Sequence, residues 1–302
     1  MPILAVYVTI RICLNVLKNL ENHYVFLRSN IVLSTAVVIL FLAVPFFGQA
    51  DGEKKADAKA SPSPTPALAL NTKDGTKTFT AEQIADSTIF IYGFGGGRAL
   101  LDQIRKTTTE RGKSIITSAD GKAENVAYSR YVLRGASLTK DRIRLDQEFP
   151  NARYSLIWNE GSVFGIVNNT QFVPSDEAAK KYENSIFRGI DALLRYKEDE
   201  SKIELSGREK IMGVDLYVVD ITDKKERKTR FYISVKSLRI MQITYEDGGV
   251  KFKRKFYNHN YAQGTLVPYR SVLTANDKIV EETEIGTVTF GQKVEEDIFK
   301  AN

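Results

Sequence analysis

Four glycines stand within five positions in IFIYGFGGGRAL, residues 89 to 100: Gly93, Gly95, Gly96 and Gly97. Such a stretch can bring backbone N–H groups onto a phosphate, so nucleotide chemistry is the first possibility to test. The spacing argues against it. A dinucleotide loop needs a glycine where Arg98 stands and a strand before it, and a P-loop needs a Gly-Lys-Ser or Gly-Lys-Thr that is missing here. The glycines are expected instead to turn a corner between two helices, in conformations closed to most other residues.

Other reactive side chains are sparse. The chain has two histidines, His23 and His259, so a Ser-His-Asp triad beyond the first fifty residues would rest on His259 alone. His259 lies in KFYNHNYAQG, between a strand and a glycine turn, where a polar loop role is the simpler reading. Ser162 in GSVFG is misplaced for a nucleophile elbow. Glu281, Glu282 and Glu284 form one acidic cluster and Glu295, Glu296 and Asp297 another. Strand alternation separates Glu281 from its two neighbours, and nothing marks a catalytic pair or a metal cage, so these read as solvated charges. Cys13 is the one cysteine, which leaves everything past residue 50 without a disulfide or a thiolate ligand. A Ser/Lys hydrolase remains an alternative, but no catalytic residue, metal or cofactor is assigned and a non-enzyme is expected.

At 302 residues with 43% apolar and 26% charged, the chain can bury one substantial core or two modest ones. Residues 1 to 50 contribute Arg11, Lys18, Arg28 and Glu21, leaving 40 basic against 36 acidic residues, a net +4, beyond them. That is far from the concentrated basic surface of a nucleic-acid binder, so no nucleic acid is expected as partner. KFKRKF at 251 to 256 is the local exception; Lys251, Lys253 and Lys255 read as a solvated strand face protected from edge pairing.

Residues 31 to 47, IVLSTAVVILFLAVPFF, are uncharged and apolar, follow Arg28 and end in Gly48, Gln49 and Ala50. This reads as a secretory signal with small residues at its cleavage site; a retained anchor is the competing reading, because the run is at the lower limit for spanning a bilayer. Either way the remainder leaves the cytoplasm. The thirty residues ahead of the run suggest a start placed too far upstream, and the lack of cysteine near Ala50 excludes a lipid-modified terminus there. Residues 51 to 79, rich in Pro, Ala and Lys without apolar periodicity, read as a disordered linker. The folded domain is placed at 80 to 302.

Within it, Thr80 and Gln83 make a capping box, and Ala81, Ile84 and Ala85 start a helical stripe predicted to reach Tyr92. Ala99, Leu100, Leu101 and Ile104 begin a second helix. From Lys113 the period becomes two; in DRIRLDQEF Ile143, Leu145 and Phe149 oppose Arg142, Arg144, Asp146 and Glu148. RYSLIW and SVFGIV flank a hairpin turn at Asn159 to Gly161. A helical insert opens at Pro174, Ser175 and Asp176 and runs to about 196, and strands return near Ser201, hinged at Met212–Gly213, 223 to 226, 247 to 249 and 276 to 277. The expected class is α+β: an antiparallel meander with helices at its start and middle, and no βαβ repeat.

The order TAEQIADSTIFIYGFGGGRALLDQIRKTTT, RIRLDQEF, WNEGSVF, helical insert, SGREKIMGVDLYVVDIT, RFYISVKSLRIMQITYED, VKFKRKFYNHNYAQGTLVPYRSV and VEEDIF resembles the LolA-like family of outer-membrane lipoprotein-sorting proteins over about residues 80 to 300. The resemblance implies a strongly curved antiparallel sheet, an incomplete β-barrel, whose concave apolar face is covered by helices. It implies an exported, periplasmic monomer that carries or binds acyl chains of lipids or lipoproteins, with a membrane-protein loading partner. A membrane-tethered sensing module of the same fold is the alternative. Tyr154, Leu156, Trp158, Phe164, Ile166, Phe231 and Ile233 are the expected sheet-side lining, and Ile84, Ile89, Leu100, Ile190 and Leu194 the lining from a movable helical cover at 81 to 105 and 176 to 196. The arginine that ties down the cover in known carriers has no match, since Arg142 and Arg144 take the polar face of their strand.

Overall fold

The computed structural model describes residues 79 to 118 and 120 to 300; the expected leader and linker lie outside them. The chain starts with α1 (Ala81–Tyr92) and α2 (Gly97–Ile104). Both halves of the capping box form: Gln83 N–H donates to Thr80 Oγ1 at 3.3 Å and Thr80 N–H to Gln83 Oε1 at 3.0 Å, satisfying two otherwise orphaned donors. The corner is built by glycine. Gly95 and Gly97 have φ of 85° and 63°, and a Cβ on Gly93 would meet the Gly97 carbonyl.

Six strands follow: β1 (Thr107–Thr117), β2 (Ala123–Leu133), β3 (Arg142–Glu148), β4 (Arg153–Asn159), β5 (Ser162–Val167) and β6 (Thr170–Phe172). Helices α3 (Asp176–Phe187) and α4 (Ile190–Leu194) come next, then β7 (Lys202–Ile211), β8 (Val214–Thr222), β9 (Lys228–Ser234), β10 (Ile240–Asp247), β11 (Val250–Ala262), β12 (Thr265–Ala275) and β13 (Lys278–Phe290). All belong to one open antiparallel sheet of 13 strands, ordered β6-β5-β4-β3-β2-β1-β13-β12-β11-β10-β9-β8-β7, curved into a half-barrel. Register shifts at Arg111/Gly112, Leu205/Gly207, Ile240/Gln242 and Leu273/Thr274 help bend it.

The strand order explains the helices. The chain runs outward from β1 to one edge, β6, and must restart at the opposite edge, β7, before returning through β13 to pair with β1. That connection crosses the open side, and α3 and α4 are what crosses it. The main core lies between these helices, α1 and the concave face, with Ile84, Ile89, Tyr92, Leu193, Phe231 and Ile233 all buried. On the outer face a C-terminal 3-10 turn, Glu296–Phe299, lies against β3 and β4 and buries Phe299 completely. Arg144 Nη1 donates to the Ile298 carbonyl at 3.0 Å and Asn159 Nδ2 to that of Phe299 at 3.2 Å, so Arg142 and Arg144 do stand on the polar side of β3.

Three expectations need correction. β1 starts at Thr107, six residues before alternation becomes visible at Lys113, because its inward residues include the polar Thr108 and Glu110. β11 is an inner strand between β10 and β12, so its lysines solvate a face and guard no edge. His259 sits inside β11, not in a loop.

Candidate functional site

On the concave face, α1 contributes Ile84 and Ile89, both 2% exposed, and α4 contributes Leu194 at 1%, with Ile190 partly buried against the same cluster. From the sheet come Leu156, Trp158, Phe231 and Ile233, all buried, and Tyr154, partly buried. These nine expected lining residues share one cluster. Phe164 and Ile166 do not. The two-residue turn Glu160–Gly161 pairs Ile157 with Phe164 and Ser155 with Ile166, so even positions of β4 face odd positions of β5. Val163 and Gly165 therefore join Trp158 and Leu156 inside, and Phe164 and Ile166 point outward. Leu100 is half-buried and packs over Gly96, outside the cluster.

The helix-covered part of this face is lined by buried apolar side chains from both the helices and the sheet. Within it the Trp158 Nε1 and Tyr92 hydroxyl are buried without a hydrogen-bond partner. The backbone of Ile240 beside the Tyr92 hydroxyl acts to lower the pKa of this phenol, but burial outweighs it and raises the pKa; the Ile240 carbonyl is engaged by His259 Nε2 at 3.1 Å. Each unmade bond costs about 1–3 kcal/mol. Two open concavities lie elsewhere. One, of about 300 Å³, is on the outer face beside Arg144, Lys293 and Ile298. The other, of about 330 Å³, is at the β3–β4 rim between Glu124, Phe149, Pro150 and Tyr154, where the rings of Phe149 and Tyr154 stack at 5.4 Å.

The helices are fastened at their ends by arginines that sequence inspection missed. Arg195, just past α4, donates twice to Asp141 at 2.7 and 2.8 Å, with the two side chains 2% and 4% exposed, and once to the Gly135 carbonyl. Asp191 Oδ1, in the first turn of α4, accepts from Arg105 Nη1 at 3.2 Å and Arg134 Nη2 at 3.1 Å. Burial pushes the Asp191 carboxyl up, but Arg134, Arg105, Arg130 and Arg195 together outweigh it and hold the pKa at about 2. Asp199 answers differently: burial pushes it up to about 6, with one oxygen accepting from Leu138 N–H at 2.7 Å and the other unpaired.

No family model matches the chain, and no curated protein matches it in sequence. Solved structures do match in shape. A DUF1329 family protein from Desulfovibrio piger superposes with a TM-score of 0.52 at 13% identity, over 74% of this chain and 98% of that one. A LolA superfamily protein from Nitrosomonas europaea gives the same TM-score of 0.52 at 13% identity and the same coverage, 74% and 98%. The fold is LolA-like.

The uncovered part of the LolA-like concave face is not uniformly apolar. Register places Tyr128, Gln147 and Tyr154 in one row across β2, β3 and β4, Arg130, Leu145 and Leu156 in the next, and Val132, Ile143 and Trp158 in the third. The third row is closed by α3, whose Tyr182 hydroxyl donates to the Ile143 carbonyl at 3.1 Å. Tyr128 lies across Gly112, where a Cβ would stand 2.8 Å from its ring, and donates to Glu110 Oε1 at 2.8 Å. Further round, Arg254 bonds Glu281 at 3.0 Å and Ser271 at 3.1 Å, with Thr283 completing the group. Burial pushes the Glu281 carboxyl up, but Arg254 beside it prevails and its pKa is lowered. Glu281 is thus an inward, ion-paired group, while Glu282 and Glu284 meet Arg270 on the outer side. Burial lowers the His259 pKa and its Nε2 is engaged by a backbone carbonyl, and no group of three metal-binding side chains occurs among the described residues. Nor is any described helix long and apolar enough to cross a membrane.

Proposed function

We propose that the domain is a non-enzymatic binder or carrier of the acyl chains of lipids or lipoproteins, acting outside the cytoplasm in the bacterial envelope. The observation that carries this reading is the interface between helices and concave face: apolar on both sides, yet holding the Trp158 indole N–H without a partner. A permanent core gains from satisfying or replacing such groups, whereas a surface that opens tolerates them. The energies suit exchange. Lifting α1 exposes Ile84, Ile89 and Tyr92, about 1.5–3 kcal/mol each, and some ten methylenes taking their place return about 8 kcal/mol at about 0.8 each. Acyl chains could therefore replace the helix face at little net cost, and no reactive group is needed.

The test is native purification of the full chain, mass spectrometry of co-extracted lipids and acylated proteins, and titration with a hydrophobic dye displaced by palmitate. Absence of any co-purified acyl species together with exclusion of the dye would end the carrier reading.

A further inference from the structure

Arg130 is an inward-facing arginine of β2 without a partner. Among the described residues its side chain has no ion pair within 4 Å and no hydrogen bond, although it is half-buried and stands in the middle of β2. Its register partner on β1 is Glu110, the carboxylate that should neutralise it, but Glu110 instead accepts the Tyr128 hydroxyl at 2.8 Å. Arg105, Arg134 and Arg254, by contrast, all have carboxylate partners. Asp191, the one helix carboxylate whose pKa responds to Arg130, is already held by two other arginines. A half-buried guanidinium without a partner keeps its forked donors available to an anionic group.

Its position says what kind of group would do so. Arg130 sits at the boundary between the two parts of the concave face. On one side the row of Val132, Ile143 and Trp158 is closed by Tyr182. On the other, about 7 Å along the strand, begins the row of buried Tyr128 and half-buried Gln147 and Tyr154, which leads to the rim groove of about 330 Å³ and the Phe149–Tyr154 stack. A forked donor at the head of an aromatic-edged strip matches an anionic group at the end of a hydrocarbon chain.

Resting on the acyl-binding reading above, we infer that Arg130 selects amphiphiles with an anionic head group, a carboxylate or a phosphate, whose chain lies along Leu145 and Tyr154 toward the β3–β4 rim. Arg130 supplies the charge-assisted hydrogen bonds, and Tyr154 with Phe149 supplies chain contact. Glu110, kept away by Tyr128, leaves the guanidinium free.

The test titrates the full chain with three probes of one chain length: palmitate, palmitoyl lysophosphatidylglycerol and the uncharged methyl palmitate. Arg130→Met is expected to weaken the two anionic probes at least about tenfold and to leave methyl palmitate within about twofold, with Arg130→Lys intermediate. Tyr154→Ser weakens all three alike. Tyr128→Phe, which releases Glu110 toward Arg130, acts in the direction of Arg130→Met. Circular dichroism melts confirm that each variant is folded, and Arg130→Lys retains the charge should Arg130→Met unfold. Preference for palmitate or for the lysophospholipid identifies the head group as carboxylate or phosphate. Equal loss of all probes in Arg130→Met, or no loss, overturns the inference while leaving acyl binding intact; failure of the wild-type chain to bind any probe overturns both.

Discussion

Asp191 allows a quantitative test of how the helix cover is held. Its carboxylate joins α4 to Arg105 at the end of α2 and Arg134 at the end of β2, and the two arginine side chains are only 11% and 8% exposed. With a folded pKa of about 2 against an unfolded value of about 3.9, the native state favours the ionised form. The stabilisation is therefore fully present above about pH 4 and is lost as pH falls through about 2. The shift corresponds to an upper limit of about 2.6 kcal/mol; because Asp191 keeps 31% side-chain exposure, solvent screening reduces this to about 1–2 kcal/mol. Asp191→Asn keeps the size and removes the charge. For a domain of this size the melting temperature at pH 7 should fall by about 2–8 °C, and wild type and variant should converge near pH 2. Thermal unfolding followed by far-ultraviolet circular dichroism at both pH values measures it. An equal loss at both would place the effect in packing rather than charge, and no loss at pH 7 would refute the tie altogether.

Three further outcomes follow from geometry. Asp141→Leu strands the 2%-exposed Arg195 and should cost about 3–5 kcal/mol in urea unfolding, much of it recovered in Asp141→Leu/Arg195→Met; additive losses would refute a coupled pair. Phe231→Ala, at a fully buried inward position, should cost about 3–5 kcal/mol, and the outward Phe164→Ala less than about 1.5; equal losses would contradict the face assignment. Gly112→Ala drives a methyl into the Glu284 carbonyl and the Tyr128 ring and should cost about 1–3 kcal/mol, with an unchanged midpoint counting against that close approach.

What could be read from the sequence depended on how local the cause was. The Thr80–Gln83 box fixed the start of α1 because both partners lie within one turn. The alternation in DRIRLDQEF located β3, since Ile143 faces the core and Arg142 and Arg144 do not. β1 was partly hidden because its inward Thr108 and Glu110 are polar, so that hydropathy does not alternate before Lys113. Phe164 and Ile166 were misplaced because counting within a strand is not enough across a hairpin: the turn decides which parity faces inward. The arginine ties lie between residues 54 to 86 apart in sequence, and no local pattern marks an arginine that will find a carboxylate at that separation.

Those separations also suggest a division of labour in the cover. The ends of α4 are fixed by directional, charge-assisted contacts: Arg195 to Asp141, and Asp191 to Arg105 and Arg134. The middle of the cover is held by non-directional apolar contact through Ile84, Ile89 and Leu194. Directional ties specify one position and lose their value when displaced, whereas hydrocarbon is indifferent to which hydrocarbon it touches. A chain that replaced the middle while the ends held would keep most of the electrostatic stabilisation, so the arginines need not break for the apolar face to exchange partners. This separates the roles of the charged groups: Asp191 should govern stability, and Arg130, which ties nothing down, should govern which ligand is held.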